Sequence, residues 1–599
     1  MTMRRMQRPL RILSFLVAVA VAAAAPQQCE LDDNTCQQAQ PKCGVYMAPS
    51  TIGEANLGIY TGVPLHENDV IPFPEIVVPL MFRSWGDHGE NPDGTLWDRY
   101  IWDGHIVHVE PKDDDLDRDS TGPGFIPGVG CTINSRMDLK NIDSTHGSVY
   151  DTAGLHRSKD PGAGAFSPYH SSKTVATTEI PAGGELFAEY GFEWIPEIPG
   201  AVITIHEHMD EADEFLEEYA EWIKSHDLTE ELTQGLWNLT VNFPVTSPVM
   251  TNIPRQPWDT VVEKIGKEES AVRYFLRKEG ERSLEWLQEH GKCQDHIKPG
   301  LSTIPQAGRG AFASRDLPKG TVVGYSPLIH MADNRELWDI PYTKGSRKKK
   351  RPDYVLQDLV LNYSFGHRNS TLLLTPYGAM VNFINHDKER ANVKIQWPSE
   401  DLVAHKPEWL TKDLEFLRNT HEKIGLSFDY VALRDISEGE EIFMDYGEEW
   451  QAAWDEHVRT WEPLQGAEHY KHASEWEGPL LTEEEQKETP YPPNLMTLCT
   501  ESYSHDETGD LIFIPILRET PHRIHCSVID RTRDDNGRYL YTVRYRDDQS
   551  DTRIVKNVPE EGVELKDRLR TADWHMKNAF RHEIMIPDDI FPESWKNLF

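Results

Sequence analysis

The sequence predicts a β-rich α+β protein: two copies of one domain of short strands, joined by a helical connector and followed by a small β-barrel. Three observations lead there. At 599 residues the chain is several times a typical domain of roughly 150 residues, so one core does not suffice. Two stretches of the first half recur without gaps in the second. Between the recurrences the apolar spacing changes from short runs bounded by glycine turns to a helical period. Hydrophobic residues at 38%, aromatics at 10% and 17 Trp exclude a mainly disordered chain and supply several cores.

The repeat is read directly from two pairs of segments. Ser50 to Ile71 lies on Ser302 to Val323, with Ser, Thr, Ile, Ala, Gly, Leu and Val recurring in register. Ala176 to Trp194 lies on Ala432 to Trp450, with Gly-x-Glu, Phe and Tyr-Gly repeating at equal spacing. The copies span 43–196 and 293–450. Between them, in 205–292, Phe215, Tyr219, Trp222 and Ile223 fall at helical spacing, as do Phe275, Leu276, Leu284, Trp286 and Leu287, which predicts a helical connector. The acidic run Asp210 to Glu218 reads as its solvated face.

Trp450 to Trp461 reads as a helix, and 451–498 as that helix followed by a Glu- and Pro-rich tether. A third unit fills 500–599. Asp534-Asp535-Asn536-Gly537 is a hairpin turn signal, and strict alternation follows in Tyr539 to Arg546, so a Tudor- or SH3-like barrel is expected. Tyr539, Tyr541 and Tyr545 share one face, as core or as an aromatic cage. Residues 571–599, with Trp574, Phe580, Ile584, Ile586, Ile590, Phe591 and Trp595, are expected to cap the barrel.

Lys plus Arg total 61 against 99 Asp plus Glu, a net charge of −38, which argues against nucleic acid as partner and tolerates a basic protein. Residues 1–25 read as a signal peptide: Arg4, Arg5, Arg8 and Arg11, then an apolar run from Ile12 to Ala24 with small residues before Pro26. That run is shorter than the roughly 20 residues that span a bilayer, so no membrane span is expected after processing. The mature chain would carry −42. The seven cysteines, Cys29, Cys36, Cys43, Cys131, Cys293, Cys499 and Cys526, contain no CxxC or CxC pair, so no metal cluster is expected. In an oxidising lumen Cys29, Cys36 and Cys43 could pair among themselves or with Cys131. Sequons at Asn238, Asn362 and Asn369 fit a secretory route.

The second copy carries the chemistry. The turn Ala307 to Ala313, the run Val381-Asn382-Phe383-Ile384-Asn385-His386 and the closing Gly439 to Gly447 resemble the SET domain in order and spacing. That resemblance implies a fold of short strands with a pseudoknot, an S-adenosyl-L-methionine cofactor and methyl transfer to a protein lysine. Gly308, Arg309 and Gly310 would cradle the cofactor, as glycines that let the backbone approach a bulky ligand. Asn385 and His386 would hold its adenine and amino-acid ends, and Tyr446 would join them. Tyr446 is also the candidate catalytic residue. A lysine is neutral only about once in 10³ at pH 7, so a buried channel must disfavour the cation while a fixed hydroxyl orients the amine.

Departures accompany the resemblance. Asn382 stands where the family has Arg, and Asp387 to Asn392 replaces the usual Cys-x-Pro-Asn, with Asn392 as the candidate final Asn. The flanking cysteine-rich zinc segments are missing, so Trp450, Trp454 and Trp461 are the candidate channel wall. In the first copy Asn56 replaces the first turn glycine and Asn134-Ser135 replaces Asn-His, while Tyr190-Gly191 remains and an insert around Gly154 to Asp160 interrupts the pattern. That copy reads as SET-like and catalytically degenerate.

Two functions follow: methyl transfer to a lysine-bearing, basic protein by the second copy, or a non-catalytic protein-binding role for two SET-like folds. The leader places the protein in the secretory pathway or outside the cell, or in an organelle such as a plastid reached through the endomembrane system. N-terminal sequencing of the mature protein is expected to begin at or near Pro26, and an intact Met1 in membranes would contradict the leader.

Overall fold

The computed structural model describes residues 43–52, 55–80, 101–106, 122–136, 139–145, 149–190, 206–242, 248–267, 270–334, 340–342, 354–400, 402–420, 424–515, 523–546, 551–568 and 571–596. The leader, Cys29 and Cys36 lie outside them. Residues from Cys43 onward form one compact unit. Among the described residues no helix is long and apolar enough to cross a membrane.

The second repeat is built on two curled sheets. The hairpin Ile297–Leu301 with Arg309–Ala313 runs in register from Ile297↔Ala313 to Leu301↔Arg309, and its second strand pairs with Glu441–Met444. Asn385–His386 then adds in parallel, Asn385↔Phe443 and His386↔Met444. The second sheet has six strands, with Val322–Met331 near its middle between Ser427–Ala432 and Leu373–Pro376. Val322–Met331 reads VVGYSPLIHM and is buried along nearly its whole length, the continuous apolar run of a strand covered on both faces.

The first repeat reproduces the hairpin. Val45–Pro49 pairs with Leu57–Thr61 from Val45↔Thr61 to Pro49↔Leu57, position for position the pairing of the second repeat. Its Asn134–Ser135 pairs in parallel with Phe187–Ala188, as Asn385–His386 does with Phe443–Met444. Asn56 holds a left-handed φ of 61° where Gly308 has 71°, since Asn is among the few side chains that tolerate this region. The repeats are tied at their starts: Lys292–Cys293 pairs with Val45–Pro49, and Cys43 is disulfide-bonded to Cys293. Cys499 pairs with Cys526. Cys131 remains a thiol, so its expected pairing with the leading cysteines is not the one formed to Cys43.

Residues 206–290 form helices over His206–Ser225, Glu230–Val241, Ala271–Glu279 and Leu284–His290 with two short ones between. Met209, Ala212, Leu216, Trp237, Trp258, Val272 and Phe275 make their core. Trp222 does not join it. It is 45% exposed with its ring tilted against that of His226, because the stripe through Met209, Ala212 and Leu216 faces the neighbouring helices instead.

Residues 464–498 are seated rather than a plain tether: Ala467 and Leu480 are buried, and the helix Glu483–Glu488 opens on a Thr482 capping box whose Glu485 pairs with Arg531. The third unit is a seven-stranded sheet ending in Tyr503–His505 on one side and Val563–Asp567 on the other. Tyr541 and Tyr545 are in its core and Tyr539 lies under Arg533, so the three do not form an open cage. Residues 571–596 leave this sheet instead of capping it. Ile584–Met585 pairs in parallel with Phe365–Gly366 of the six-stranded sheet, and Trp574, Ile584, Ile586, Phe591 and Trp595 fill the second repeat's core. The strand Phe365–Gly366 offers an open edge there, whereas Tyr541, Val543 and Tyr545 already close the core of the third unit.

Glu75 ties two segments of the first repeat together. Only 2% exposed, its carboxylate accepts from the main-chain N–H groups of Val129 (2.7 Å) and Gly130 (3.0 Å). Burial outweighs these bonds and pushes its pKa up to about 8. Between the ordinary carboxyl value and about 8 the folded chain keeps a proton that the unfolded chain has lost. Stability therefore falls as pH rises through that window, on the order of 1.4 kcal/mol per pH unit. Glu75→Gln removes this slope. Melting temperatures of parent and variant should diverge in the parent's disfavour as pH rises; parallel curves would contradict it.

Candidate active site

A cavity of about 620 Å³ opens beside the closing strand of the second repeat. Its walls come from Ile304 to Ala307 and Arg309, from Val381 to Arg390, from the helix Glu448–Thr460 and from Phe580 and Ile584 near the C-terminus. Ala165 to Ser167 and His170 of the first repeat complete it.

Asn385 and His386 form its hub. Asn385 Nδ2 donates to the Arg309 carbonyl at 2.7 Å, tying the hub to the glycine turn. His386 Nδ1 accepts the Tyr446 main-chain N–H at 2.8 Å, so its proton is on Nε2, which donates to Gln451 Oε1 at 2.7 Å. Both side chains thus hold the site together. Asn392, fully buried, donates to the Glu441 carbonyl (2.9 Å) and accepts the Phe443 N–H (2.9 Å), zipping the loop after His386 onto the closing strand. Asn382 donates to the Pro376 carbonyl at 3.0 Å.

The glycines have bulky neighbours from the chain itself. Gly308 has φ 71°, and a Cβ there would lie 2.6 Å from the ring of Phe166. A Cβ on Gly310 would lie 2.2 Å from Glu441 Oε1. That carboxylate accepts from Ser302 Oγ (2.6 Å), Thr303 N–H (2.8 Å) and Thr303 Oγ1 (2.6 Å). Arg309 reaches His170 Nε2 at 2.7 Å and Asp151 Oδ2 at 3.2 Å, while its Nε is buried with no hydrogen-bond partner among the described residues. The close approach at these glycines is to Phe166 and Glu441 of the chain itself, where the cofactor was expected.

Tyr446 stands at the end of the strand Glu441–Met444 and lines the cavity. Its hydroxyl donates to the Ile384 carbonyl, which leaves the oxygen lone pairs to accept. Burial raises its pKa, followed by the field of Tyr363, so the phenol stays protonated at neutral pH. It can orient an amine and cannot serve as a phenolate base. Trp450 meets it edge-on at 5.0 Å, and Trp454 stacks on Trp450 at 6.1 Å. Trp461 is the helix's C-cap and is not a lining residue.

Sequence reasoning missed part of this wall. Tyr363 and Tyr430 both line the cavity, and Tyr363 OH accepts the Ser167 N–H at 2.8 Å. The sequon residue Asn362 donates to the carbonyls of Ala165 (2.6 Å) and Phe580 (2.9 Å) and accepts from His582 N–H (2.9 Å), a use of its amide that excludes a glycan. Asn362 and Tyr363 belong to the run Leu359 to Tyr363 and Tyr430 to the strand Ser427–Ala432, neither of which carries a local motif.

The first repeat carries the same bonds. Glu185 accepts from Ser50 Oγ, Thr51 N–H and Thr51 Oγ1, as Glu441 does from Ser302 and Thr303. Asn134 donates to the Leu57 carbonyl at 2.7 Å and Tyr190 OH to the Ile133 carbonyl. Ser135 Oγ accepts the Tyr190 N–H at 3.2 Å in place of His386.

Residues 308–447 match the SET domain family. Among solved structures, the chain is similar to a proposed histone methyltransferase of Plasmodium falciparum, at 16% identity over 26% of this chain and 98% of that one, with a TM-score of 0.16. It is also similar to the Chaetomium thermophilum polycomb repressive complex 2 (19% identity, 32% of this chain, 18% of that one, TM-score 0.16). A third similarity is to CpSET8 of Cryptosporidium (12% identity, 41% of this chain, 97% of that one, TM-score 0.14). No curated protein matches the chain.

Truncating either clamp carboxylate leaves its donors without their acceptor: those of Ser302 and Thr303 at Glu441, and those of Ser50, Thr51, Tyr60 and Asn134 at Glu185. Glu441→Ala should cost about 3 kcal/mol or more, since bonds to a charged acceptor contribute roughly 1.5–3 kcal/mol each, and Glu185→Ala should cost a similar amount. Denaturant titration measures both, and a loss under about 1 kcal/mol at either would contradict the clamp.

Proposed function

We propose that the SET domain at residues 308–447 transfers a methyl group from S-adenosyl-L-methionine to the side-chain amine of a protein lysine. The observation that carries this is the placement of the Tyr446 hydroxyl, proton committed to Ile384, at a cavity walled by Tyr363, Tyr430, Trp450 and Phe580. The residues fit the cofactor. Ile304 to Ala307, Arg309 and Asn385 to Arg390 line the cavity, and its aromatic walls with the polar groups of Arg309, Asn385 and His386 suit a ligand that is part apolar and part charged. Gly308 and Gly310 act through the turn's shape, because their own faces are occupied by Phe166 and Glu441. When bound, S-adenosyl-L-methionine supplies an electrophilic methyl group on a sulfonium.

The chain's residues supply the rest. Burial among rings disfavours an ammonium, so an entering lysine gives its proton to solvent first. The Tyr446 oxygen accepts a hydrogen bond from the neutral amine and turns its lone pair into line for displacement. The Asn385 and His386 bonds keep that hydroxyl, the glycine turn and the helix Glu448–Thr460 in fixed relation.

The first repeat, 43–196, is a degenerate SET-like fold in this reading, with Asn56 and Ser135 in place of Gly308 and His386, and the chain binds one cofactor. The acceptor lies in a basic segment, which a net charge of −38 attracts and salt weakens. The protein works in the secretory route or in an organelle reached through it. The leader favours a second reading, a non-catalytic binding protein, because secretory compartments are not the usual home of this cofactor.

Tyr446→Phe removes the hydroxyl and keeps the ring, so methyl transfer to a lysine-rich protein should fall by about 10² to 10⁴ with little change in melting temperature. Transfer at the parent rate would contradict the role of Tyr446. Cofactor binding without transfer to any lysine-rich protein would leave the binding-protein reading.

A further inference from the structure

The insert that interrupts the first repeat's pattern crosses to the cavity of the second. Arg157 fixes its start: Nε donates to Asp573 Oδ1 at 2.6 Å, and the guanidinium stacks on the Tyr470 ring at 3.2 Å. From there Pro161 to His170 runs along the cavity, held by its own main chain. The Pro161 carbonyl accepts from His457 of the helix Glu448–Thr460 (2.8 Å), and the Gly162 N–H donates to Gln306 Oε1 (2.9 Å). The Gly164 carbonyl accepts from Arg581 (2.7 Å), the Ala165 carbonyl from Asn362 (2.6 Å), and the Ser167 N–H donates to Tyr363 OH (2.8 Å). Gly164 has φ 81° and a Cβ there would meet the Asp573 carbonyl at 2.3 Å, so the segment threads a slot only glycine fits.

These bonds reach the glycine turn, the tryptophan helix, the Asn362–Tyr363 wall and the C-terminal segment. Opening would break all of them together, which makes the segment a fixed wall and not a swinging lid. Its side chains face working parts: Phe166 covers Gly308, and His170 with Asp151 holds the Arg309 guanidinium whose main-chain carbonyl receives Asn385.

We propose that Pro161–His170 of the first repeat is a wall of the second repeat's active site, and that Phe166 is a positioning residue for its reaction. The degenerate copy thereby completes in cis a site that the second copy alone leaves open beside Gly308 and Arg309. The proposal rests on the methyltransferase reading above. Phe166 acts through the turn at Gly308 and Arg309, so its removal is felt mainly at the cofactor end.

Steady-state kinetics of the full chain test this, with S-adenosyl-L-methionine and a lysine-rich protein titrated separately. Phe166→Ala should raise the KM for the cofactor about tenfold or more and lower kcat less, with a parent-like melting temperature, and Phe166→Leu should recover most of the KM. If Phe166→Ala melts early, Phe166→Leu decides: a raised cofactor KM with parent-like melting supports the proposal, and a parent KM overturns it. Phe166→Ala kinetics equal to the parent overturn it, as does faster turnover, which would mark the segment as an inhibitory plug. A parent that transfers no methyl group defeats the underlying reading of function instead, and is seen before any variant is made.

Discussion

The site depends on one short parallel pairing, Asn385–His386 alongside Phe443–Met444. Parallel neighbours cannot be joined by a tight turn, so the chain must travel through the loop 387–392, the strand Val393–Gln396 and the strand Ser427–Ala432 before it returns. The excursion is locked by polar side chains. Asn392 closes the loop on the closing strand, and His386, its tautomer set by the Tyr446 N–H, carries the Tyr446 main chain on one nitrogen and Gln451 on the other. A phenol, a glycine turn and a helix are thus placed around one cavity by two adjacent residues.

Burial then decides the chemistry. Tyr446 keeps its proton because desolvation opposes the phenolate, and that proton is already given to a carbonyl. The same environment opposes an ammonium at the cavity. In the proposed methyl transfer, orientation of a neutral amine is what remains for the hydroxyl to do, and no covalent intermediate with the chain is needed.

What the sequence revealed and concealed follows from range. The turn at Gly308 to Gly310, the Asn385-His386 pair and the Tyr446-Gly447 close are local patterns whose spacing is their signal; Arg309, Asn385, His386 and Tyr446 line one cavity, whereas Gly308, Gly310 and Gly447 are not among its lining residues. The match of the first repeat's opening segment to the second was legible for the same reason, whereas the left-handed φ of Asn56, which lets it stand in for the turn glycine, is seen only in the structure. Phe166 carries no such pattern: a lone aromatic in a glycine-rich insert becomes a neighbour of Gly308 only through bonds to Gln306, Asn362 and Arg581. Residues 571–596 misled because apolar spacing shows that a segment is buried without showing where, and the open edge at Phe365–Gly366 lies far off in sequence. Trp222 reads as core on a helical wheel, yet the neighbouring helices chose the adjacent stripe.

The most direct measurement is the identity of the methylated atom. The full chain is incubated with isotopically methyl-labelled S-adenosyl-L-methionine and a lysine-rich basic protein, and the products are mapped by peptide mass spectrometry. The account predicts labelled methyl on lysine side-chain nitrogen, in basic segments, from the parent chain. Label confined to other residue types, or none on the protein while the cofactor is bound, would contradict it.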